Sequence, residues 1–195
     1  MTGFRHASGR IKRKNIQIVV TEGLSEEIYL DRIRSMFEGV PIHTVNAGGG
    51  DIGKLKRECS KILLERERWD MLAIVTDMDE KSVSEIIKFD DWCKRNGVEL
   101  YLSNPSFEVF LLMHYQDVRG SMSQSDLEEA LGRHLGRRYD KAKGIRPTER
   151  SVTEAIRRAE HSLPKNVDPI AGVARFGGTT NFHKLLGKIS DSLKQ

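Results

Sequence analysis

Residues 72–80, LAIVTDMDE, place a run of apolar side chains directly before two aspartates, Asp77 and Asp79. A continuous Leu/Ile/Val run is typical of a strand in a parallel sheet, because helices cover both faces of such a sheet. The two acids then stand where this strand reaches water. They are either the polar turn that ends a buried strand or the ligands of a metal ion, and the stretch alone does not decide between these interpretations.

Strand-like apolar runs recur along the first part of the chain. They occupy residues 16–20, 42–45, 71–75 and 98–102. The segments between them have the spacing of apolar residues that is typical of amphipathic helices. This alternation predicts an α/β fold with a parallel sheet flanked by helices. After the fourth strand, we expect Asn104 to cap a very apolar helix with Pro105 at its first position.

The character of the chain changes beyond residue 117, where we find helix-like pieces and no strand-like run. The pieces lie near residues 124–135, 151–162 and 181–193. We therefore expect three parts, which are a basic flexible arm at 1–14, an α/β core at 15–117, and a helical extension at 118–195 packed on the core.

Charge is distributed unevenly, although the net charge is only +4. Residues 1–14 carry five basic and no acidic side chains, residues 15–129 carry 13 basic and 22 acidic ones, and residues 130–195 carry 14 and 6. An acidic middle between basic ends is typical of a cation site surrounded by a surface that binds a polyanion. A disordered arm and a solvated helical face would give the same distribution.

Several classes of protein are disfavoured by the composition. The apolar runs are too short to cross a bilayer and the N-terminus lacks the apolar centre of a signal peptide, so we expect a cytoplasmic protein without a membrane partner. Cys59 and Cys93 have no C-x-x-C partner, which argues against a disulfide framework or a zinc site.

Acidic residues follow three of the predicted strands. They are Glu22 and Glu26 after the first strand, Asp77 and Asp79 after the third, and Glu108 after the fourth. Ligands of open parallel sheets bind outside the carboxyl ends of the strands, so these acids are expected to share one rim. In extended backbone Asp77 and Asp79 would point the same way, with Cα atoms roughly 6–7 Å apart, which suits two carboxylates on one hard cation. Taken singly, each acid is better explained as a turn former or as a charge near a helix N-terminus, where charges are common.

A rival interpretation starts from GGGDIGKL, residues 48–55, which matches G-x-x-x-x-G-K. If this were a nucleotide-binding P-loop, Lys54 would contact phosphates and Asp77 or Asp79 would orient magnesium. Leu55 stands where a P-loop has Ser or Thr, and its side chain cannot ligate magnesium. This interpretation is therefore the less favoured one.

Five stretches occur in the order typical of the RloB family, and together they resemble it over residues 13–186. They are EGLSEEIYL at 22–30, VTDMDE at 75–80, SNPSFEVFLLMHY at 103–115, YDKAKG at 139–144 and AIRRAE at 155–160. The TEG and D-x-D elements also resemble the two acidic motifs of the Toprim domain. The resemblance implies a Toprim-like core and a Mg²⁺- or Mn²⁺-dependent nuclease. The family is found in bacterial and archaeal defence or restriction-modification loci, often beside an ATPase.

Site residues follow from the same resemblance. Metal ligands would be Glu22, Asp77 and Asp79. Two further acids, Glu26 and Glu108, would complete the site or take a proton from the attacking water. The basic C-terminal region would bind the nucleic-acid backbone through Lys141, Lys143 and Arg146. A catalytic lysine of the Toprim type would be either Lys141 or Lys143.

A second hypothesis is a non-catalytic Toprim-like sensor or effector subunit held by a neighbouring ATPase. Its basis is the small size of the chain and the surplus of helical surface after residue 117. The sequence leaves open whether the substrate is DNA or RNA, whether one or two metals bind, and whether the protein forms oligomers.

Overall fold

A computed structural model describes residues 16–37, 42–49, 51–65, 69 and 71–193. The predicted basic arm at 1–14 lies outside these described residues. The strands are β1 (Gln17–Thr21), β2 (Ile42–Asn46), β3 (Met71–Asp77), β4 (Glu99–Asn104) and β5 (Thr179–Thr180). The helices are α1 (Leu24–Met36), α2 (Ile52–Leu64), α3 (Val83–Arg95), α4 (Glu108–Met113), α5 (Gln124–Leu135), α6 (Glu149–Ser162), α7 (Pro169–Arg175) and α8 (His183–Leu193).

The strands form one five-stranded sheet in the order β2-β1-β3-β4-β5. Strands β1 to β4 are parallel, and β5 pairs with β4 in the antiparallel direction. The predicted α/β class is thereby confirmed, and the four predicted strands each lie within one or two residues of their expected bounds.

Side chains of each inner strand alternate between two hydrophobic layers, as the period of two in extended backbone requires. In β3, Ala73 and Val75 face the layer formed with α1, α4, α5, α6 and α8. Leu72 and Ile74 face the opposite layer, which contains α2, α3 and α7. Both faces of the sheet are thus covered, which explains why β3 is apolar at nearly every position.

Helix starts follow local capping chemistry. The Asp51 carboxylate accepts a hydrogen bond from the backbone N–H of Lys54 at the start of α2, at 2.9 Å. Ser82 and Glu85 form a reciprocal capping box at the start of α3. These caps fix where the chain leaves the carboxyl ends of β2 and β3 and begins its return across the sheet.

The predicted start of the helix after β4 was wrong. Asn104 is the last residue of β4, and its side-chain amide donates to the backbone carbonyl of Val173 at 2.8 Å. Helix α4 begins only at Glu108. The side chain of Asn104 joins β4 to α7 and therefore does not cap α4.

The prediction that no strand follows residue 117 was also wrong. Thr179 and Thr180 pair with Asn104 and Ser103, and the hydroxyls of Ser103 and Thr180 lie 2.9 Å apart. A two-residue strand is too short to leave a periodic pattern in the sequence. The Thr180 hydroxyl also donates to the carbonyl of Leu102 in β4, whereas that of Thr179 donates to the carbonyl of Phe176.

Residues beyond 117 share both hydrophobic layers with the preceding part of the chain. Phe182 and Leu185 belong to the layer that contains Tyr29 of α1, and Val173 of α7 belongs to the opposite layer. The predicted boundary near residue 117 thus does not separate two hydrophobic cores. Within the described ranges, no helix has both the length and the apolar character that a membrane span needs.

We expect Phe182→Ala to lower the free energy of unfolding by about 3–5 kcal/mol, the usual cost of deleting a buried aromatic ring. The Phe182 ring is fully buried and its centroid lies 4.9 Å from those of Phe107 and Phe110. Urea denaturation measures the change. Phe176→Ala is the matched control, because that ring is 44% exposed. Equal effects of the two substitutions would show that Phe182 is not part of the core.

Candidate functional site

Three acidic residues lie where neighbouring strands end. Glu22 follows β1 directly, and its backbone N–H donates to the carbonyl of Val75 at 3.0 Å, which extends the β1–β3 pairing by one residue. Asp77 is the last residue of β3 and pairs with Ser103 of β4. Glu108 begins α4 after the short loop that follows β4. The parallel sheet therefore brings these acids to the same edge, as predicted from the order of the strands.

Glu22 is held by a cation and by the end of β3. Its carboxylate accepts hydrogen bonds from the hydroxyl of Thr76 and from the backbone N–H of Asp77, the latter at 3.2 Å. The Lys81 Nζ lies 3.0 and 3.1 Å from its two oxygens and also donates to the backbone carbonyl of Asp77. The side chains of Lys81 and Glu22 are only 13% and 15% exposed, so this ion pair is largely shielded from water.

Glu108 is buried and well supplied with donors. Its Oε1 accepts from the hydroxyl of Ser25 at 2.9 Å and from that of Tyr139 at 3.2 Å, and the Nζ of Lys141 lies 3.7 Å away. Burial opposes ionisation, but Lys141 and the hydroxyls of Ser106 and Ser25 outweigh it and hold the pKa of Glu108 below its usual value. This carboxylate is therefore ionised at neutral pH.

Glu26 lies in the first turn of α1 and is almost completely buried. Burial and the negative charges of Glu108 and Glu22 raise its pKa to about 7. A backbone hydrogen bond and the charge of Lys141 act in the opposite direction, but burial and the ionised neighbours outweigh them and favour the neutral acid. Near neutral pH, this carboxyl group can both accept and release a proton.

Asp77 has a buried carboxylate oxygen, Oδ1, that is not satisfied by a hydrogen bond from another described residue. Burial and the charges of Glu26 and Glu108 raise its pKa well above the usual range, against the opposing charge of Lys81. We call Glu22, Glu26, Asp77 and Glu108 the acidic cluster.

The structure does not place Asp79 beside Asp77 in the predicted way. Asp79 has a φ of 40° in the turn after β3, its side chain is exposed, and its backbone N–H donates to the carbonyl of Pro105 at 2.9 Å. The prediction of extended backbone from Asp77 to Asp79 was therefore wrong. This residue forms the turn, whereas Asp77 faces the other carboxylates.

The three predicted nucleic-acid contacts fall into two places. Lys141 lies beside Glu108 at the acidic cluster. Lys143 and Arg146 instead line a separate cavity that is described below. The sequence left open whether Lys141 or Lys143 would be the lysine of the site. Of these two, Lys141 is the one that contacts an acid of the cluster.

Sequence reasoning missed the residues that support the acids. Lys81, Thr76 and Ser25 all contact cluster carboxylates. Thr76 and Ser25 carried a usable signal, because each adjoins a predicted acid in the chain. The pairings themselves were not predictable from the sequence, since the contacts of Lys81, Thr76 and Ser25 join residues 59, 54 and 83 positions apart.

The glycine-rich loop lies against the same edge of the sheet. The backbone N–H of Gly49 donates to the carbonyl of Glu22 at 2.7 Å, and the Nζ of Lys54 donates to the carbonyl of Gly48 at 3.0 Å. Leu55 is 1% exposed and packs in the core. It supplies no oxygen to a nucleotide-bound metal, so this loop lacks the magnesium ligand of a P-loop.

Carboxylate oxygens are the ligands that Mg²⁺ and Mn²⁺ prefer, and the unpaired Oδ1 of Asp77 offers one such ligand. Among the described residues, however, no three His, Cys, Asp or Glu side chains are already positioned to ligate one ion. Lys81 holds Glu22 in this arrangement. The chemistry of the donors thus fits a hard cation, and the ion would have to compete with Lys81 for Glu22.

Comparison with known proteins connects this arrangement to one family. No curated protein and no solved structure matches the chain significantly. A family model described as RloB-like protein matches residues 17–189, a span that contains the whole acidic cluster and all five strands. Because the match extends over most of the chain, the protein belongs to the RloB-like family.

Proposed function

We propose that the protein is a Mg²⁺- or Mn²⁺-dependent phosphodiesterase that cleaves nucleic acid. The observation that carries this proposal is the acidic cluster itself. A buried Asp77 oxygen has no hydrogen-bond partner among the described residues, and burial together with the charges of neighbouring acids raises the pKa values of Glu26 and Asp77. A divalent cation would relieve that repulsion. Structural turns and helix caps do not require buried carboxylates to converge in this way.

Glu22 and Asp77 would hold the cation, with Asp79 contributing if its turn rearranged. When bound, the cation would stabilise the negative charge that develops on the phosphoryl oxygens. Lys81 would hold Glu22 in a fixed orientation, because it already contacts both oxygens of that carboxylate.

Glu26 is suited to general base chemistry. A proton acceptor works best when its pKa is close to the working pH, and the pKa of Glu26 is raised to about 7. The Lys141 side chain is about half exposed, whereas that of Glu108 beside it is buried. Lys141 can therefore contact a phosphate from the solvent side of the site. These two residues would therefore move the proton and neutralise the substrate.

Family membership and the distribution of charge support a proposal about the biological role and the partners of the protein. We place the activity in prokaryotic defence, with an ATPase encoded nearby as the partner that controls it. The C-terminal part of the chain, with 14 basic and six acidic side chains in residues 130–195, supports contact with a nucleic-acid backbone.

One observation favours the second candidate, a non-catalytic subunit held by an ATPase. Lys81 already neutralises Glu22, and no three ligands are positioned for a metal within the residues that the structure describes. In that case the lysine would be a permanent substitute for a cation. Metal titration by calorimetry separates the candidates, because only the enzyme requires binding that depends on Asp77.

Metal removal provides the direct test. End-labelled single- and double-stranded DNA and RNA are incubated with the purified full chain in Mg²⁺, Mn²⁺ or EDTA, with and without the neighbouring ATPase. We expect at least one substrate to be cleaved in a divalent metal, and none to be cleaved in EDTA. If no substrate is cleaved under any of these conditions, the proposal is wrong.

A further inference from the structure

A second polar site lies next to the acidic cluster and is lined mainly by cationic and aromatic side chains. It is a cavity of about 500 Å³ whose wall includes Arg32, Tyr115, Leu135, Arg137, Lys143 and Arg146. We call it the basic pocket. Its volume lies within the range of roughly 300–1,000 Å³ that is usual for small-molecule sites.

The segment that follows α5 separates the two sites. Lys141 reaches towards Glu108 on one side. On the other, the Arg32 guanidinium donates to the backbone carbonyl of Lys143 at 2.5 Å and to that of Ile145. The backbone of this segment is thus held by α1, and Lys141 and Lys143 lie at different sites.

The basic pocket has an excess of positive charge. None of the described residues lining it is acidic. Burial and then the like charges of Arg146 and Arg137 lower the pKa of Arg32, as repulsion between its guanidinium group and these two requires. Within the described ranges, Arg146 forms no hydrogen bond or ion pair, and Lys143 is paired only with the half-exposed Asp140 at 3.4 Å. An anion would remove this repulsion.

The chemistry of the pocket narrows the choice of anion. Guanidinium groups pair with phosphate through two parallel N–H bonds, and several of them together favour a dianion over a carboxylate. The apolar wall contains Leu135 and the half-buried ring of Tyr115, which is stacked on His134 with centroids 4.9 Å apart and planes at 11°. An aromatic platform beside a cationic group is suited to a nucleobase and its phosphate.

We propose that the basic pocket binds a nucleotide bearing a phosphomonoester, with the phosphate on Arg32 and Arg146 and the base against Tyr115. The nucleotide is either free or the phosphorylated end of a strand. Binding does not require hydrolysis at the acidic cluster, so it is measurable in EDTA and in the Asp77→Asn variant. If the nuclease proposal fails, binding of a nucleotide in the basic pocket is not thereby contradicted. If no nucleotide binds in the pocket, the nuclease proposal is likewise unaffected.

Calorimetry on the full chain in EDTA at 150 mM salt tests the pocket. The probes are AMP, adenosine, inorganic phosphate, and a tetranucleotide with either a 5′-phosphate or a 5′-hydroxyl. We expect AMP to bind about tenfold more tightly than adenosine, the loss typical of removing a charged hydrogen-bonding group. A 5′-phosphorylated tetranucleotide that binds while AMP does not identifies a strand end as the ligand, and comparable binding of both identifies the nucleotide itself.

Arg146→Ala is the principal variant, because this exposed side chain forms no hydrogen bond or ion pair with another described residue, so that its loss should leave the fold intact. We expect it to weaken binding of AMP or of the phosphorylated strand by about tenfold or more. Tyr115→Ala should weaken AMP binding and leave inorganic phosphate unchanged. Arg95→Ala on α3 is the matched control for loss of one exposed positive charge. Equal losses in Arg146→Ala and Arg95→Ala, or no binding of any phosphate probe, would overturn the proposal.

Discussion

Asp77→Asn should reduce nucleic-acid cleavage by about 10³-fold or more and raise the thermal stability of the metal-free protein. Metal ligation supplies several kcal/mol of transition-state stabilisation, and each 1.36 kcal/mol is tenfold in rate. The opposite effect on stability follows from the cluster. Within the part of the chain that the structure describes, the buried Oδ1 of Asp77 has no hydrogen-bond partner, and burial and the charges of Glu26 and Glu108 raise the pKa of Asp77. An amide removes the negative charge without changing the shape.

Melting temperatures at pH 8 in EDTA and in Mg²⁺ measure both parts of this prediction. In EDTA, we expect Asp77→Asn to melt a few degrees above wild type, since about 1 kcal/mol corresponds to roughly 2–4 °C in a chain of this size. Mg²⁺ or Mn²⁺ should raise the melting temperature of wild type and leave that of the variant unchanged.

Asp91→Asn is the control for this experiment, because Asp91 is exposed on α3 away from the strand ends. It should cleave nucleic acid at the wild-type rate and keep the response to metal. Full activity of Asp77→Asn would remove Asp77 from the site. A variant that loses activity but still gains stability from the metal would place the metal on other ligands.

Sequence patterns predicted the part of the fold that is periodic. The apolar run before Asp77 is a strand covered on both faces, and its side chains alternate between two layers. Helix α3 (Val83–Arg95) lies between β3 and β4, where the spacing of apolar residues predicted a helix. Strand β5 and helix α7 were not predicted because they are short, with two and seven residues. Their positions also depend on contacts with β4. Such contacts join residues distant in the chain and leave no local signal.

The sequence predicted those residues of the site whose positions are determined by the ends of the strands. Glu22, Asp77 and Glu108 lie at or shortly after the ends of β1, β3 and β4, which are parallel neighbours in the sheet, and the order of the sheet brings them to one edge. Asp79 was misplaced because its backbone adopts a φ of 40° instead of continuing the strand. An acid two residues after another shares its side only while the backbone stays extended.

The ion pair between Lys81 and Glu22 was beyond prediction for a different reason. The lysine lies in a turn after β3 and the glutamate after β1, so the pair exists only because β1 and β3 are neighbours. Counts of charged residues along the chain show an excess of acids in residues 15–129. They do not record which cation neutralises which acid.

Glu26→Gln should flatten the pH dependence of stability between about pH 4.5 and 7. The pKa of Glu26 is raised from 4.5 to about 7 in the folded protein. A group whose pKa is raised on folding stabilises the protein fully below its unfolded pKa, and that stabilisation is lost as pH rises through the folded pKa. For Glu26, the loss amounts to about 3 kcal/mol, at 1.36 kcal/mol for each pKa unit.

Urea denaturation at half-unit steps from pH 4.5 to pH 8 measures this slope. We expect the free energy of unfolding of wild type to fall across this range relative to Glu26→Gln, since glutamine does not titrate. Glu160→Gln is the matched control, because Glu160 is exposed on α6 and should leave the slope unchanged. Parallel curves for wild type and Glu26→Gln would mean that Glu26 titrates normally. In that case Glu26 would be ionised at neutral pH, and its burial would have to be compensated by a cation other than Lys141.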